Sequence, residues 1–440
     1  MTKVIRNTSS VCSVCLKRIP AEIVKRKQEY FLEKTCGDHG QFSTVVWRGD
    51  DPSFEQWGEY VSPAESVDEA PECPSACGLC PDHLQKTCCV LVEVTGRCNL
   101  SCSFCFAQSG ENSVDPTVEQ LAAYFEHLVK SGSTFIQLSG GEPTVREDLP
   151  DIVAAAKAAG CDPIQLNSNG IRLGEDRAFT KALAEAGLSF VFMQFDGTED
   201  AIYEKLRGRR LVAEKQAAIK ACSDELLGVT LVPTIVPGVN DQNIGDILTF
   251  GFSNSPAVRG VHFQPVGYFG RYPQPPKNEG RITLPEILRA IERQTAGKVK
   301  ISDFIPSGCD HPRCGFHADF MALPDALVRL SPKADNCSCS RDDGTAHIKN
   351  RNFVARRWKR TAADNGQEGC CNKDYSDMDA FLGRVKSHGF TITAMAFQDA
   401  YTLDVERLRR CSLHVYRDGK TIPFCASYLT AETKALRDKQ

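Results

Sequence analysis

Apolar runs of strand length alternate with segments of helical spacing from residue 89 to residue 296, and this alternation limits the fold more than any other property of the chain. The run Cys89–Val94 is followed by Thr117–Val129, whose apolar residues recur at helical spacing, and by Thr134–Leu138, which reads as a buried strand. Leu149–Ala159 predicts a helix and Pro163–Leu166 a strand. Residues 179–186 predict a helix, Ser189–Phe195 a strand, the segments up to Leu226 further helix, and Val229–Val236 a strand. A strand over Gly260–Val266 and a helix over Leu284–Thr295 complete six strand-helix repeats. Strands joined through helices run parallel, so the expected fold class is α/β. Ligands in such folds bind at the carboxyl ends of the strands, and the chemically distinctive residues of this chain fall there.

The first strand runs into Cys98, Cys102 and Cys105, a CxxxCxxC triplet. Three thiolates on one loop can hold three irons of a 4Fe-4S cluster and leave the fourth open to a small molecule. A structural zinc loop remains an alternative, although the asymmetric spacing after a strand is unlike a finger hairpin. The second strand ends in Gly140-Gly141-Glu142-Pro143, where glycines let the backbone approach a ligand closely. In isolation that segment is a turn. Asn167, Asn169, Gln194, Asp196 and Thr234 end later strands, where each is either a ligand contact or a cap.

Three more cysteine sets frame this core. Cys73, Cys77, Cys80 and Cys88, spaced by Gly and Pro, suit a second 4Fe-4S cluster, with Cys89 as an alternative fourth ligand and a zinc site using His83 as the competing reading. At the N-terminus Cys12, Cys15, Cys36 and His39 flank two strand-like runs, Glu29–Glu33 and Phe42–Trp47, and suit one tetrahedral iron or zinc. Cys309 with Cys314, and Cys411 with Cys425, are pairs that can converge on a further cluster. Cys337, Cys339, Cys370 and Cys371 read as spare thiols of a polar insert, and Cys161 and Cys222 as core residues.

With Phe104 just before its third cysteine, the triplet resembles the cluster loop of the radical S-adenosylmethionine (SAM) superfamily. That resemblance implies a partial (β/α)6 TIM-like barrel and a SAM chelated to the open iron. It also implies one-electron cleavage to a 5′-deoxyadenosyl radical, and hydrogen abstraction from an unactivated carbon. It casts Phe104, Gly140, Gly141, Glu142, Pro143, Asn167, Asn169, Gln194, Asp196 and Thr234 as neighbours of the cofactor. The ordered pattern CxxC…CxxHG, CPxxCGxCPxH…TC, triplet and IPFCA further resembles the tetraether lipid synthase family, which includes proteins described as dihydro-hydroxymethylpterin dimethyltransferases. This narrower resemblance implies a rubredoxin-like unit over 1–70, an auxiliary cluster loop over 71–89, the barrel over 90–296, and a C-terminal domain with a second auxiliary cluster over 297–440. The expected reaction is carbon-carbon coupling of lipid alkyl chains. The alternatives are methylation or alkyl transfer to a pterin-like molecule or a thiophilic element such as arsenic, and, from another class, a non-catalytic electron carrier. The Cys337–Cys371 insert and Cys411-Ser412 depart from the family pattern and bear on the substrate more than on the chemistry.

A length of 440 residues predicts two or three domains, and a formal net charge of −4 with 25% charged residues carries no signal for nucleic acid. The 21 cysteines suit metal ligation in a reducing cytoplasm, where the expected partner is a reductant such as ferredoxin or flavodoxin. The stretch Lys349–Arg360, with six cations and two aromatics, reads either as a contact to anionic headgroups, making the protein peripheral to a membrane, or as a solvated face.

Overall fold

The computed structural model describes residues 2–58, 73–74, 78–80, 83–110, 114–323, 327–330, 345–360, 383–385 and 387–432. Cys77, Cys337, Cys339, Cys370 and Cys371 lie outside them. Four antiparallel strands open the chain: β1 (Thr2–Val11), β2 (Arg18–Arg26), β3 (Glu29–Cys36) and β4 (Gly40–Arg48). Sequence reading found only β3 and β4, because β1 is mostly polar and exposed and shows no buried alternation. Tyr30, Leu32 and Trp47 of this sheet are buried in the same core as the helices of the main body. Arg48 fixes the junction, donating to Arg281 O at 2.7 Å and to the Glu286 carboxylate at 3.2 Å.

The main sheet is built from β5 (Cys89–Thr95), β6 (Ile136–Gly140), β7 (Ile164–Ser168), β8 (Phe190–Gln194), β9 (Gly228–Val232), a short β10 (Thr234–Ile235) and β11 (Val258–Pro265). The strands β5, β6, β7, β8, β9 and β11 lie side by side and parallel, as the six repeats predict. The connecting helices start where the chain can cap them. Thr117 and Gln120 form a capping box that opens the helix Val118–Lys130, whose Leu121, Phe125 and Leu128 are buried against the sheet.

The C-terminal third extends the same sheet at both edges. Here β12 (Ile305–Pro306), β13 (Gly315–Ala322), β14 (Leu327–Arg329) and β15 (Gly389–Met395) continue beyond β11, with β15 parallel to it and β13 antiparallel to β15. At the opposite edge β16 (Leu413–Arg417) runs parallel to β5, and β17 (Lys420–Pro423) folds back on it.

The two faces of the sheet differ in chemistry. Val90, Val92, Ile136, Leu138, Ile164, Leu166, Val191, Met193, Val229, Leu231, Val261 and Phe263 share one buried core with the helices. Each such side chain contributes roughly 1.5–3 kcal/mol. The alternate positions Gln137, Asn167, Phe192, Gln194, His262 and Gln264 are half-buried and mostly polar. A parallel sheet buried on both faces normally reads as continuous hydrophobic runs, so this polar concave face is reserved for something other than packing.

The basic stretch is solvated on one face only. The helix Ala346–Trp358 lies across the amino-terminal ends of the strands and closes the barrel from below. Trp358 packs on Phe190 and Phe192 with ring centroids 5.5 and 4.8 Å away, and a Cβ on Gly228 would lie 2.0 Å from the Trp358 carbonyl. Arg351 donates to Thr134 Oγ1 at 2.8 Å and Arg357 pairs with Asp319 at 2.6 Å. Of the six cations only Lys349 and Arg356 are exposed, so the stretch is chiefly a plug that neutralises strand-end groups. No helix among the described residues is long and apolar enough to cross a membrane.

Candidate functional site

Beyond Thr95 the chain turns into the loop that carries Cys98, Cys102 and Cys105, all half-buried. Gly141 N donates to Thr95 O at 2.8 Å and Glu142 N to Arg97 O at 2.9 Å. Both glycines are required by this approach. A Cβ on Gly140 would lie 2.1 Å from Thr95 O, and one on Gly141 would lie 2.1 Å from Arg97 O. On the far side Cys105 exchanges backbone hydrogen bonds with Arg271 at 2.9 and 3.0 Å, and Arg271 Nε donates to Cys102 O at 3.1 Å. Gly270 permits that contact, with φ of +53° and a would-be Cβ 2.5 Å from Cys105 O. Sequence reading missed Gly270-Arg271; the available signal was a glycine just past the sixth strand.

The other strand ends form one hydrogen-bonded rim. The Glu142 carboxylate accepts from Thr144 Oγ1 at 2.6 Å, Ser168 Oγ at 2.7 Å and Asn169 N at 2.6 Å, which staples the ends of β6 and β7 together. Pro143 opens the short buried turn that makes this possible. Asn169 Nδ2 donates to Asn99 Oδ1 in the cysteine loop at 2.7 Å. Asp196 accepts from Arg207 Nε and Nη2, each at 2.7 Å, and from Thr234 N at 3.1 Å. Gln194 lies between Arg207 and Lys215. The Lys215 ammonium donates to Asn169 O, and burial pushes it down to about 8. Arg207 and Lys215 were also missed, because buried cations on amphipathic helices look like surface residues in a sequence. Phe104 stands edge-on to Tyr268, with centroids 5.9 Å apart. Asn167 lies deeper, on the concave face, where it accepts from Gln165 Nε2 at 2.6 Å.

The triplet fits the cluster its spacing suggests. Burial pushes the Cys98 thiol up to about 11, so at neutral pH a bound metal is what would hold it as a thiolate. Arg271 Nη2, beside the loop, is buried with no hydrogen-bond partner in the protein. Cys98, Cys102 and Cys105 would supply three of the four ligands.

At the N-terminus, the donor atoms of Cys12, Cys15, Cys36 and His39 all lie within 4.8 Å of one another. His39 Nδ1 is 3.6 Å from Cys12 Sγ and 3.5 Å from Cys36 Sγ. A tetrahedron with Zn–S of about 2.3 Å and Zn–N of about 2.0 Å has an S···N edge of about 3.5 Å. The His39 hydrogen bond draws the Cys36 thiol down to about 6, while burial raises that of Cys12.

Proximity in sequence does not sort the remaining cysteines. Cys88 accepts from Cys309, a member of the C-terminal pairs, and from Asn350 Nδ2 at 3.1 Å. Ser412 Oγ donates to Cys309 Sγ at 3.4 Å. Cys73 packs in the same apolar cluster as Cys425, and His83 Nε2 lies 2.7 Å from Cys411 O. Cys314 receives both Nε and Nη2 of Arg407 at 3.4 Å, and Cys425 accepts from Gln398 N at 3.2 Å. Cys80 is half-buried beside them in the loop. Residues 83–89 and the 409–425 segment are thus tied together through backbone bonds such as Leu84 N to Arg409 O at 2.8 Å and Cys88 N to Ser412 O at 2.9 Å.

Comparison with known proteins adds the following. Residues 92–251 match the radical SAM superfamily, and residues 4–48 match the HMPTM N-terminal zinc ribbon domain. The chain is 32% identical to the 7,8-dihydro-6-hydroxymethylpterin dimethyltransferase of Methanocaldococcus jannaschii, over 99% of this chain and 95% of that one. It is 33% identical to the Fe-coproporphyrin III synthase of Methanosarcina barkeri, over 43% of this chain and 48% of that protein. Among solved structures, a radical SAM methyltransferase from Sphaerobacter thermophilus is 15% identical with a TM-score of 0.36, covering 67% of this chain and 74% of its own.

Proposed function

Because the chain belongs to the radical SAM superfamily, and within it to the family of the dihydro-hydroxymethylpterin dimethyltransferase, we propose that this enzyme transfers methyl groups to a dihydropterin. The similarity to that dimethyltransferase carries the proposal, because it spans 99% of the chain and so includes the zinc ribbon and the C-terminal third. The matches to GTP 3′,8-cyclases span only 40–46% of this chain. The polar concave face supports the same reading, since a nitrogen-rich ring needs convergent hydrogen-bonding groups and a paired alkyl chain needs an apolar tunnel. Lipid coupling, the reaction first expected, has lost its support in the basic stretch, whose helix lies against the barrel floor.

In this reading Cys98, Cys102 and Cys105 hold the 4Fe-4S cluster, and SAM lies along the rim formed by Phe104, Gly140, Gly141, Asn169, Gln194 and Thr234. When bound, the cluster and one SAM would supply hydrogen abstraction from a carbon with no activating group; that SAM leaves as methionine with its methyl, so the methyl transferred comes from a second SAM. The protein contributes the rigid rim. Glu142 and Asp196 lock strand ends, and Arg207 and Lys215 place two cations beside Gln194. Cys12, Cys15, Cys36 and His39 hold one structural metal, zinc by likeness to the ribbon family. Cys73, Cys77, Cys80, Cys88, Cys309, Cys314, Cys411 and Cys425 supply the ligands of auxiliary clusters, and a one-electron reductant such as ferredoxin or flavodoxin completes the system. The test is anaerobic reconstitution with dithionite, methyl-labelled SAM and 6-hydroxymethyl-7,8-dihydropterin. A pterin product heavier by one or two labelled methyl groups supports the proposal. Release of 5′-deoxyadenosine with no labelled pterin would sink it while leaving the superfamily intact.

A further inference from the structure

Deeper in the barrel, below the rim, the concave face carries polar groups with no part in holding the cysteine loop. Gln165 Nε2 donates to Asn167 Oδ1 at 2.6 Å, Asn167 Nδ2 donates to Gln137 Oε1 at 3.3 Å, and His262 Nδ1 shares a 2.7 Å hydrogen bond with Thr393 Oγ1. Strand register makes them neighbours. Gln137 stands opposite Gln165, Asn167 opposite Phe192, Phe192 opposite Thr230, and His262 opposite Thr393. Three atoms in this region, Gln165 Oε1, Thr230 Oγ1 and Trp358 Nε1, are buried with no hydrogen-bond partner in the protein. A buried polar atom without a partner is costly, and three on neighbouring elements point to a polar occupant.

The surroundings of these groups are aromatic, and the nearby charge is neutralised. Asp319, which follows on the same face, is occupied by Arg357 at 2.6 Å and Thr391 at 2.9 Å. Phe192 lies between Trp358, with centroids 4.8 Å apart, and His262, at 5.5 Å and an interplanar angle of 35°. Burial holds His262 down to about 4, so it is a neutral imidazole at pH 7.

We propose that Gln137, Gln165, Asn167, Thr230 and the His262–Thr393 pair form the substrate-recognition surface, which takes an uncharged, planar, nitrogen-rich ring with Phe192 against its face. This inference rests on the dihydropterin reading and adds which side chains read the ring. Amides present a donor and an acceptor on one flat group, the complement of a lactam beside an amine. An alkyl chain would leave Gln165 Oε1 and Thr230 Oγ1 without a partner.

The test is anaerobic calorimetric titration of the reconstituted holoprotein with 6-hydroxymethyl-7,8-dihydropterin. Gln165→Leu and Thr393→Val should each weaken binding by about tenfold or more, because a site built to hydrogen-bond a ring discriminates through the partner it loses. His262→Gln, which keeps a donor and an acceptor, should retain more affinity than His262→Leu at equal melting temperature and iron content. Thr393→Val keeps shape, so it remains decisive if another variant misfolds. Wild type that binds the pterin with both Gln165→Leu and Thr393→Val within about twofold of it overturns the inference and leaves the dihydropterin reading standing. Wild type that binds no pterin overturns both.

Discussion

Replacing Gly141 by alanine tests whether the cysteine loop is held by close backbone approach. The new Cβ would sit 2.1 Å from Arg97 O and 2.7 Å from Arg97 C, whereas real Cβ atoms stay at least 3.0 Å from such neighbours. The loop must therefore retreat by about 0.9 Å, and both obstructing atoms are backbone, so no side-chain rotation relieves the clash. The shift also stretches the bonds from Gly141 N to Thr95 O and from Glu142 N to Arg97 O. Overpacking costs about 1–3 kcal/mol and each of the two weakened hydrogen bonds about 1 kcal/mol, so the total is about 3–5 kcal/mol. At about 2.1 cal/mol/K of unfolding entropy per residue, that corresponds to a melting temperature lower by roughly 3–5 °C. The effect on chemistry is larger, because a misplacement of about 1 Å at a reacting centre costs on the order of a hundredfold in rate. Differential scanning calorimetry, iron analysis and release of 5′-deoxyadenosine under dithionite measure the three consequences. Gly110→Ala is the control, since nothing lies within 4 Å of its would-be Cβ. Gly141→Ala that matches Gly110→Ala in all three assays would refute the close-approach argument.

Asp196→Asn should lower the free energy of unfolding by about 3–5 kcal/mol in urea titration, because it strands the buried Arg207 guanidinium. Substituting His39 by alanine should remove one metal per chain by elemental analysis and leave the iron-sulfur absorbance in place. The folded-state value of His262 is depressed to about 4, so the unfolded chain binds more protons between about pH 6.5 and 4. Stability from this group is therefore intact above pH 6.5 and falls by about 3 kcal/mol as pH drops to 4. The difference in unfolding free energy between wild type and His262→Gln should shrink by that amount over the same interval.

What the sequence disclosed is local. The six barrel repeats and the triplet were legible because alternation, helical spacing and ligand spacing each operate within a few residues of chain. The N-terminal quartet was legible for the same reason, its two knuckles lying on adjacent turns of one small sheet. The losses are non-local. Nothing in Gly389–Met395 or Leu413–Arg417 announces which strand each will join, since pairing partners lie far away in the chain. Lys349–Arg360 carried a real positive charge signal, but its partners Asp319, Asp162 and Thr134 are scattered over the barrel floor. The hydrogen bonds of Cys88 to Cys309 and Asn350 likewise join residues more than two hundred positions apart, which no spacing in the sequence announces.

The seating of β16 against β5 has a consequence for synthesis. Glu93 of β5 meets Arg417 of β16 at 2.7 Å across 324 positions of sequence. At a translation rate of about 5–20 residues per second, that edge of β5 waits some 15–65 s for its partner to leave the ribosome. An unpaired, apolar strand edge invites pairing with other chains during such a wait. The same wait leaves the neighbouring cysteine loop accessible from the side that β16, β17 and the helix Phe424–Ser427 will later cover. Early delivery of iron and sulfide would therefore help this chain, and slow translation would expose it, for one and the same reason: its first barrel strand is the last to be enclosed.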